Sequence, residues 1–92
     1  MRDLAGKTAV VIGGGQGIGR GIALALAKES MNVAILDIEE EAALRVADEL
    51  KTLGGRAMAR QCNVTSVDSL ADCAKAVEAE LGSVHVLSNN AG

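Results

Sequence analysis

The stretch Ile12-Gly13-Gly14-Gly15-Gln16-Gly17-Ile18-Gly19 joins an apolar run, Thr8 to Ile12, to a helix-like run, Gly17 to Glu29. Residues of these types at this spacing suit the binding of a phosphate group. Glycines let the main chain take positive φ and come close to a ligand, and the free N–H groups and dipole of the following helix favour a pyrophosphate. Gly13, Gln16, Gly17, Ile18 and Gly19 are the candidate contacts. Asp37 lies 18 residues after Gly19, at the end of a second apolar run. A carboxylate there can accept both hydroxyls of an adenosine ribose and repel a 2′-phosphate. A glycine pattern alone also serves an empty strand-to-helix turn, and an aspartate alone also serves as a helix cap, so the surrounding elements must decide.

Strand-like and helix-like patterns alternate along the chain in the order β-α-β-α-β-α-β, with no linker or repeat. The first strand is Thr8 to Ile12, and the helix from Gly17 to Glu29 turns Ile18, Ile22, Ala25 and Leu26 to one face. The second strand is Asn32 to Asp37. The second helix opens near Ile38, with Glu39, Glu40 and Glu41 in its first turn and an apolar stripe of Ala43, Val46, Leu50 and Leu53. Gly54 and Gly55 stop it. A third strand, Ala57 to Cys62, precedes a helix from Ser66 to Leu81 that Thr65 caps, with Val67, Leu70, Ala74, Val77 and Leu81 inward. The fourth strand is Val84 to Ser88.

Continuous apolar strands joined by helical crossovers predict an α/β fold, a parallel sheet with helices on both faces. Right-handed crossovers give the strand order 3-2-1-4, with the first two helices on one face and the third on the other. A crevice then opens between strands one and four, where ligands of open α/β sheets bind. One helix can hardly cover a face of four strands, and strand four keeps an open edge. Residues 1–92 are therefore expected to be one portion, an incomplete half, of a larger doubly wound domain.

With these motifs in place, the whole chain resembles the short-chain dehydrogenases/reductases. That family shares a TGxxxGxG loop, an acidic residue after strand two, a DV pair after strand three and an NNAG motif after strand four. Gly13, Gly17 and Gly19 keep the spacing, with Ile12 in place of the usual threonine. The resemblance implies a Rossmann-type domain that binds a nicotinamide dinucleotide. Gln16 and Ile38, where relatives preferring NADP often carry a base, are neutral, so NAD is favoured over NADP. Asn63-Val64 stands where the family has Asp-Val against the adenine, and the Asn63 amide oxygen can accept from the adenine amino group. Asn90, Ala91 and Gly92 match the part of the motif that lies close to the nicotinamide-side ribose, while Asn89 is expected to support the sheet.

The family transfers hydride between NAD(P) and an alcohol or carbonyl, using a serine and a YxxxK pair beyond the NNAG motif. This chain has no tyrosine, so no catalytic residue is assigned within it. The resemblance implies an oxidoreductase in the longer parent, with a small alcohol or carbonyl substrate and a homo-oligomeric state. A noncatalytic nucleotide-binding module and an inert fragment are the alternatives. They are separated from the enzyme by whether the protein continues past Gly92 to a serine and a YxxxK pair.

Composition narrows the partners. The chain has 92 residues, 49% hydrophobic, no aromatic residue and a net charge of -3. It offers no platform for stacking bases and no basic stripe for a phosphate backbone, which argues against nucleic acid. The absence of a signal-like start and of a long apolar run implies a cytoplasmic chain with no membrane partner. Cys62 and Cys73 form no metal-binding spacing and read as buried reduced thiols. His85, at the start of strand four, falls on the side of the sheet away from the crevice and is given no catalytic role. Arg20 reads as a solvated surface residue.

Overall fold

Alternation along the strands decides which side chains meet the helices on each face of the sheet. The structure, a computed structural model, describes residues 4–90. Its elements are β1 Thr8–Ile12, α1 Gly17–Lys28, β2 Asn32–Asp37, α2 Glu40–Lys51, β3 Ala57–Gln61, α3 Val67–Leu81 and β4 Val84–Asn89. The sheet runs β3-β2-β1-β4 with every pairing parallel. This is the order expected from right-handed crossovers.

Side chains on a strand point to alternate faces. Ala9 and Val11 of β1 and Val33 and Ile35 of β2 meet Ala23 and Ala27 of α1 and Ala43, Val46 and Leu50 of α2. Val10, Ile12, Ala34 and Leu36 meet Cys73, Val77 and Leu81 of α3 on the other face. Thr8, buried at the start of β1, donates from Oγ1 to Leu81 O at 2.6 Å and ties β1 to the end of α3.

Two helical stripes differ from the periodicity expected. On α1 the buried positions are Gly19, Ala23 and Ala27, while Ile18 is 78% exposed and Ala25 is exposed. Each residue turns a helix by about 100°, so the small residues next to the large ones face the sheet and let α1 pack close. On α3 the sheet-facing row is Cys73, Val77 and Leu81. Val67 lies about 80° from the middle of that row by the same geometry and is 80% exposed; Ala74, one residue past Cys73, is exposed too. Leu53 falls beyond the end of α2 and is half-exposed.

Element ends also move. Glu39 is the N-cap of α2 rather than part of its first turn, which keeps Glu40 and Glu41. Ser66, not Thr65, caps α3, accepting from Ser69 N at 3.2 Å. β4 runs one residue further than expected, to Asn89. The β1–β4 register passes from Thr8↔Val84 to Ala9↔Val86, so His85 is the extra residue of a bulge.

Candidate functional site

The loop after β1 is shaped by close approach. Gly13 and Gly17 have φ of 74° and 58°, the left-handed region in which a side chain is strained. A Cβ on Gly19 would collide with Gly13 O, and one on Gly15 would stand 2.8 Å from both Ala42 Cβ and Asp37 Oδ2. The loop is thus pressed against the head of α1 on one side and against β2 and α2 on the other. Gly13 N donates to Leu36 O at 2.6 Å, which extends the β1–β2 pairing into the loop.

Asp37, at the end of β2, is oriented by two main-chain donors. Its Oδ2 accepts from Gly15 N at 3.0 Å and its Oδ1 accepts from Glu39 N at 3.0 Å. The second bond is a turn of the kind aspartate makes with the backbone two residues on. The first was not legible in the spacing, and it ties Gly15, which the expected GxxxGxG pattern leaves unspecified, to the candidate carboxylate. Three consecutive glycines were its only signal.

A cavity of about 330 Å³ opens beside this carboxylate, lined by Ile12, Gly13, Asp37, Ile38, Cys62, Asn63, Val64 and Thr65. It gathers five of the expected site residues, Gly13, Asp37, Ile38, Asn63 and Val64. Ile12, Cys62 and Thr65 are additions. Asn63 Oδ1 accepts from Thr65 N at 3.0 Å and from Thr65 Oγ1 at 2.7 Å. A carbonyl oxygen has two lone pairs, so the oxygen expected to serve an adenine amino group is already engaged, and the Asn63 amide nitrogen is the group left over.

The remaining candidates lie off this cavity. Gln16, Gly17 and Ile18 are exposed on the loop and the head of α1, and Gly19 is buried beneath it. Gln16 is the N-cap of α1 but makes no side-chain cap bond, and the first turn of α1 carries no acidic residue. α2 and α3 both have a carboxylate there. The first N–H groups of a helix have no intrahelical acceptor, so the head of α1 is the one helix start of the described residues left without an anionic or capping side chain.

Asn90 N donates to Ile12 O at 2.9 Å, and Asn90 Nδ2 reaches Ile12 O at 3.4 Å and Ser88 Oγ at 3.1 Å. Support of the sheet, expected from Asn89, thus falls to Asn90 as well, which fixes the end of β4 against the end of β1. Ala91 and Gly92 lie outside the described residues.

Cys62 and Cys73 are buried and free. Burial pushes the Cys62 thiol up and the neighbouring Cys73 adds to the effect, against smaller opposing effects of Ser69 and Arg60. A thiol held neutral in this way is a poor nucleophile. His85 is exposed in the first half of β4, at the opposite end of the strand from Asn89 and Asn90. Arg20, exposed as expected, pairs with Glu49. Among the described residues there is no cluster of three or more metal-ligating side chains and no helix long and apolar enough to cross a membrane.

Comparison with known proteins agrees with this arrangement. The family model described as short chain dehydrogenase matches residues 7–92. The chain is 43% identical over 89 residues to a 7alpha-hydroxysteroid dehydrogenase of Escherichia coli, covering 97% of this chain and 35% of that one. It is 37% identical over 86 residues to a cyclohexanol dehydrogenase of an Acinetobacter species, covering 94% and 34% respectively. The solved structure of an NAD+-bound xylitol dehydrogenase superposes with a TM-score of 0.94 at 33% identity, over 99% of this chain and 35% of that one. The chain therefore spans about a third of the length of these relatives. A glycine loop, an oriented aspartate and a paired strand end at the carboxyl ends of the strands of a 3-2-1-4 sheet, together with the family match over nearly every residue, place this chain in the short-chain dehydrogenase family.

Proposed function

We propose that the chain is the cofactor-binding portion of an NAD-dependent oxidoreductase that transfers hydride between NAD(H) and an alcohol or carbonyl substrate. The observation that carries this reading is the Asp37 carboxylate, held by Gly15 N and Glu39 N on the wall of the 330 Å³ cavity. A carboxylate offers about four lone-pair sites, so two bonds leave acceptors for the two hydroxyls of an adenosine ribose. A phosphate on the 2′ oxygen would instead meet a like charge.

The other residues fit the same group. Gly13, Gly15 and Gly19 leave the main chain bare, and the uncapped head of α1 at Gln16, Gly17 and Ile18 favours a pyrophosphate. Ile38 and Val64 give apolar walls for an adenine, and the free amide nitrogen of Asn63 can donate to a ring nitrogen. Asn90, with Ala91 and Gly92, serves the nicotinamide-side ribose. A bound nicotinamide dinucleotide supplies or accepts the hydride, while this portion binds and orients it. We assign the proton donor to residues beyond this portion, because the chain contains no tyrosine. A cytoplasmic homo-oligomer completes the reading.

Calorimetric titration of NAD and NADP into the full-length protein tests it, comparing wild type with Asp37→Ala. A lost charge-assisted hydrogen bond is worth about 1.5–3 kcal/mol, so the NAD Kd should rise about tenfold or more, with a smaller change for NADP. Equal losses for the two dinucleotides would remove the ribose assignment. Wild-type protein that binds neither would leave a structural fragment, and binding without dehydrogenase activity would leave a noncatalytic module.

A further inference from the structure

We propose that Glu49 is a specificity-determining residue: by holding the Arg20 guanidinium against α2, it withholds a cation from the adenosine end of the site and so disfavours a 2′-phosphorylated dinucleotide. The proposal rests on the cofactor reading above and assigns a function to two residues outside the expected motifs. Arg20 Nε donates to Glu49 Oε1 at 2.9 Å and Arg20 Nη2 donates to Glu49 Oε2 at 2.5 Å, a two-point pair that bridges α1 and α2. The Arg20 hydrogen bond holds the Glu49 carboxyl below the usual carboxylate range, so both partners are charged at neutral pH.

The pair sits in a groove of about 440 Å³ lined by Gly15, Arg20, Arg45, Val46, Asp48 and Glu49. Gly15 joins this groove to the Asp37 carboxylate. It lines this groove, and its N–H holds the Asp37 carboxylate that faces the ribose. The Arg20 side chain and Asp37 therefore flank the same glycine. Helical side chains tilt toward the N-terminus and stack with the residue four positions earlier, which places Arg20 directly below Gln16. Released from Glu49, Arg20 extends toward Gln16 and Gly15, and a guanidinium there offers phosphate a two-point hydrogen bond. Charge in the groove points the same way. Arg20 and Arg45 are balanced by Asp48 and Glu49, so removing the Glu49 charge leaves the groove with a positive excess.

The test is calorimetric binding of NAD and NADP at low ionic strength by the full-length protein in four forms: wild type, E49Q, R20M and R20M/E49Q. An exposed charge contact is worth up to about 1 kcal/mol, which is a gain of about three- to fivefold. E49Q should therefore bind NADP about three- to fivefold tighter than wild type while NAD stays within about twofold, which also shows that the variant is folded. The NADP gain should vanish in R20M/E49Q. Wild-type NAD binding with an unmoved NADP Kd in E49Q overturns this proposal alone. A gain that persists in R20M/E49Q overturns it as well, since Arg20 would then not be the cation released. Wild-type protein that binds neither dinucleotide overturns the cofactor reading and this proposal with it.

Discussion

A methyl group added at Gly19 would overlap Gly13 O and stand 2.9 Å from Gly14 Cα. Both neighbours are backbone, so neither can rotate away, and the helix head must shift to make room. Overpacking of this kind costs about 1–3 kcal/mol. Gly19→Ala should lower the denaturant midpoint accordingly and weaken dinucleotide binding, because the displaced loop is the one that carries Gly15 and its bond to Asp37. Gly21→Ala is the control. Nothing lies within 4 Å of its added Cβ, and alanine is favoured over glycine in a helix by about 1 kcal/mol, so its midpoint should rise. Equal effects of the two substitutions would show that close packing at Gly19 does not set the loop. At this scale Gly19 was legible because the family spacing marks it. Gly15 and Thr65 were not, because their roles come from hydrogen bonds to Asp37 and Asn63 that only the folded loops bring within reach.

Ser66 shows how a helix that touches no predicted ligand still positions the site. Its side chain caps α3 through Ser69 N, and the Ser69 hydroxyl in turn accepts from Asn63 N at 3.0 Å. The cap therefore fixes the turn that presents Asn63 and Val64 to the cavity. Removing such a cap costs about 1 kcal/mol. Ser66→Ala should lower stability by that amount, measured by urea unfolding, and Ser66→Asp should restore it, since aspartate caps equally well. Failure of the aspartate variant to recover would assign the loss to something other than the cap. Strand order and helix placement were legible because Thr8–Ile12 and Asn32–Asp37 are continuous apolar runs, buried on both faces, and right-handed crossovers then fix the side on which each helix lies. The stripe expected on α2 is buried at Ala43, Val46 and Leu50 and that on α3 at Val77 and Leu81, whereas α1 and the first half of α3 were read about one residue off for a physical reason. Periodicity weights the large residues Ile18 and Val67, whereas close packing on a sheet selects the small ones, Gly19, Ala23 and Ala27 on α1 and Cys73 on α3.

At the scale of the molecule the two faces of the sheet are covered unequally. α1 and α2 bury one face, but α3 alone serves the other, and β4 is largely exposed. Val67 is 80% exposed and Leu87 65%. Between α3 and β4 lies an apolar cavity of about 350 Å³, lined by residues that include Val10, Ile12, Leu36, Leu70, Val84 and Leu87. Among the described residues β4 pairs only with β1, so it is an edge strand of the sheet beside that apolar surface. An open edge next to an apolar face is a template for association with another chain. Residues 1–92 prepared alone should therefore self-associate at micromolar concentration, seen by sedimentation velocity, and should enhance the fluorescence of a hydrophobic dye. A double substitution, Val67→Lys with Leu87→Lys, places charge on the exposed start of α3 and on the β4 wall of the cavity without touching the Asp37 site, and should reduce both signals. A monodisperse monomer that leaves the dye dark would show that this face needs no further cover. If association disappears in the lysine variant while the dye still binds, the apolar face is not what joins the chains, and the β4 edge, which Leu87→Lys charges, is.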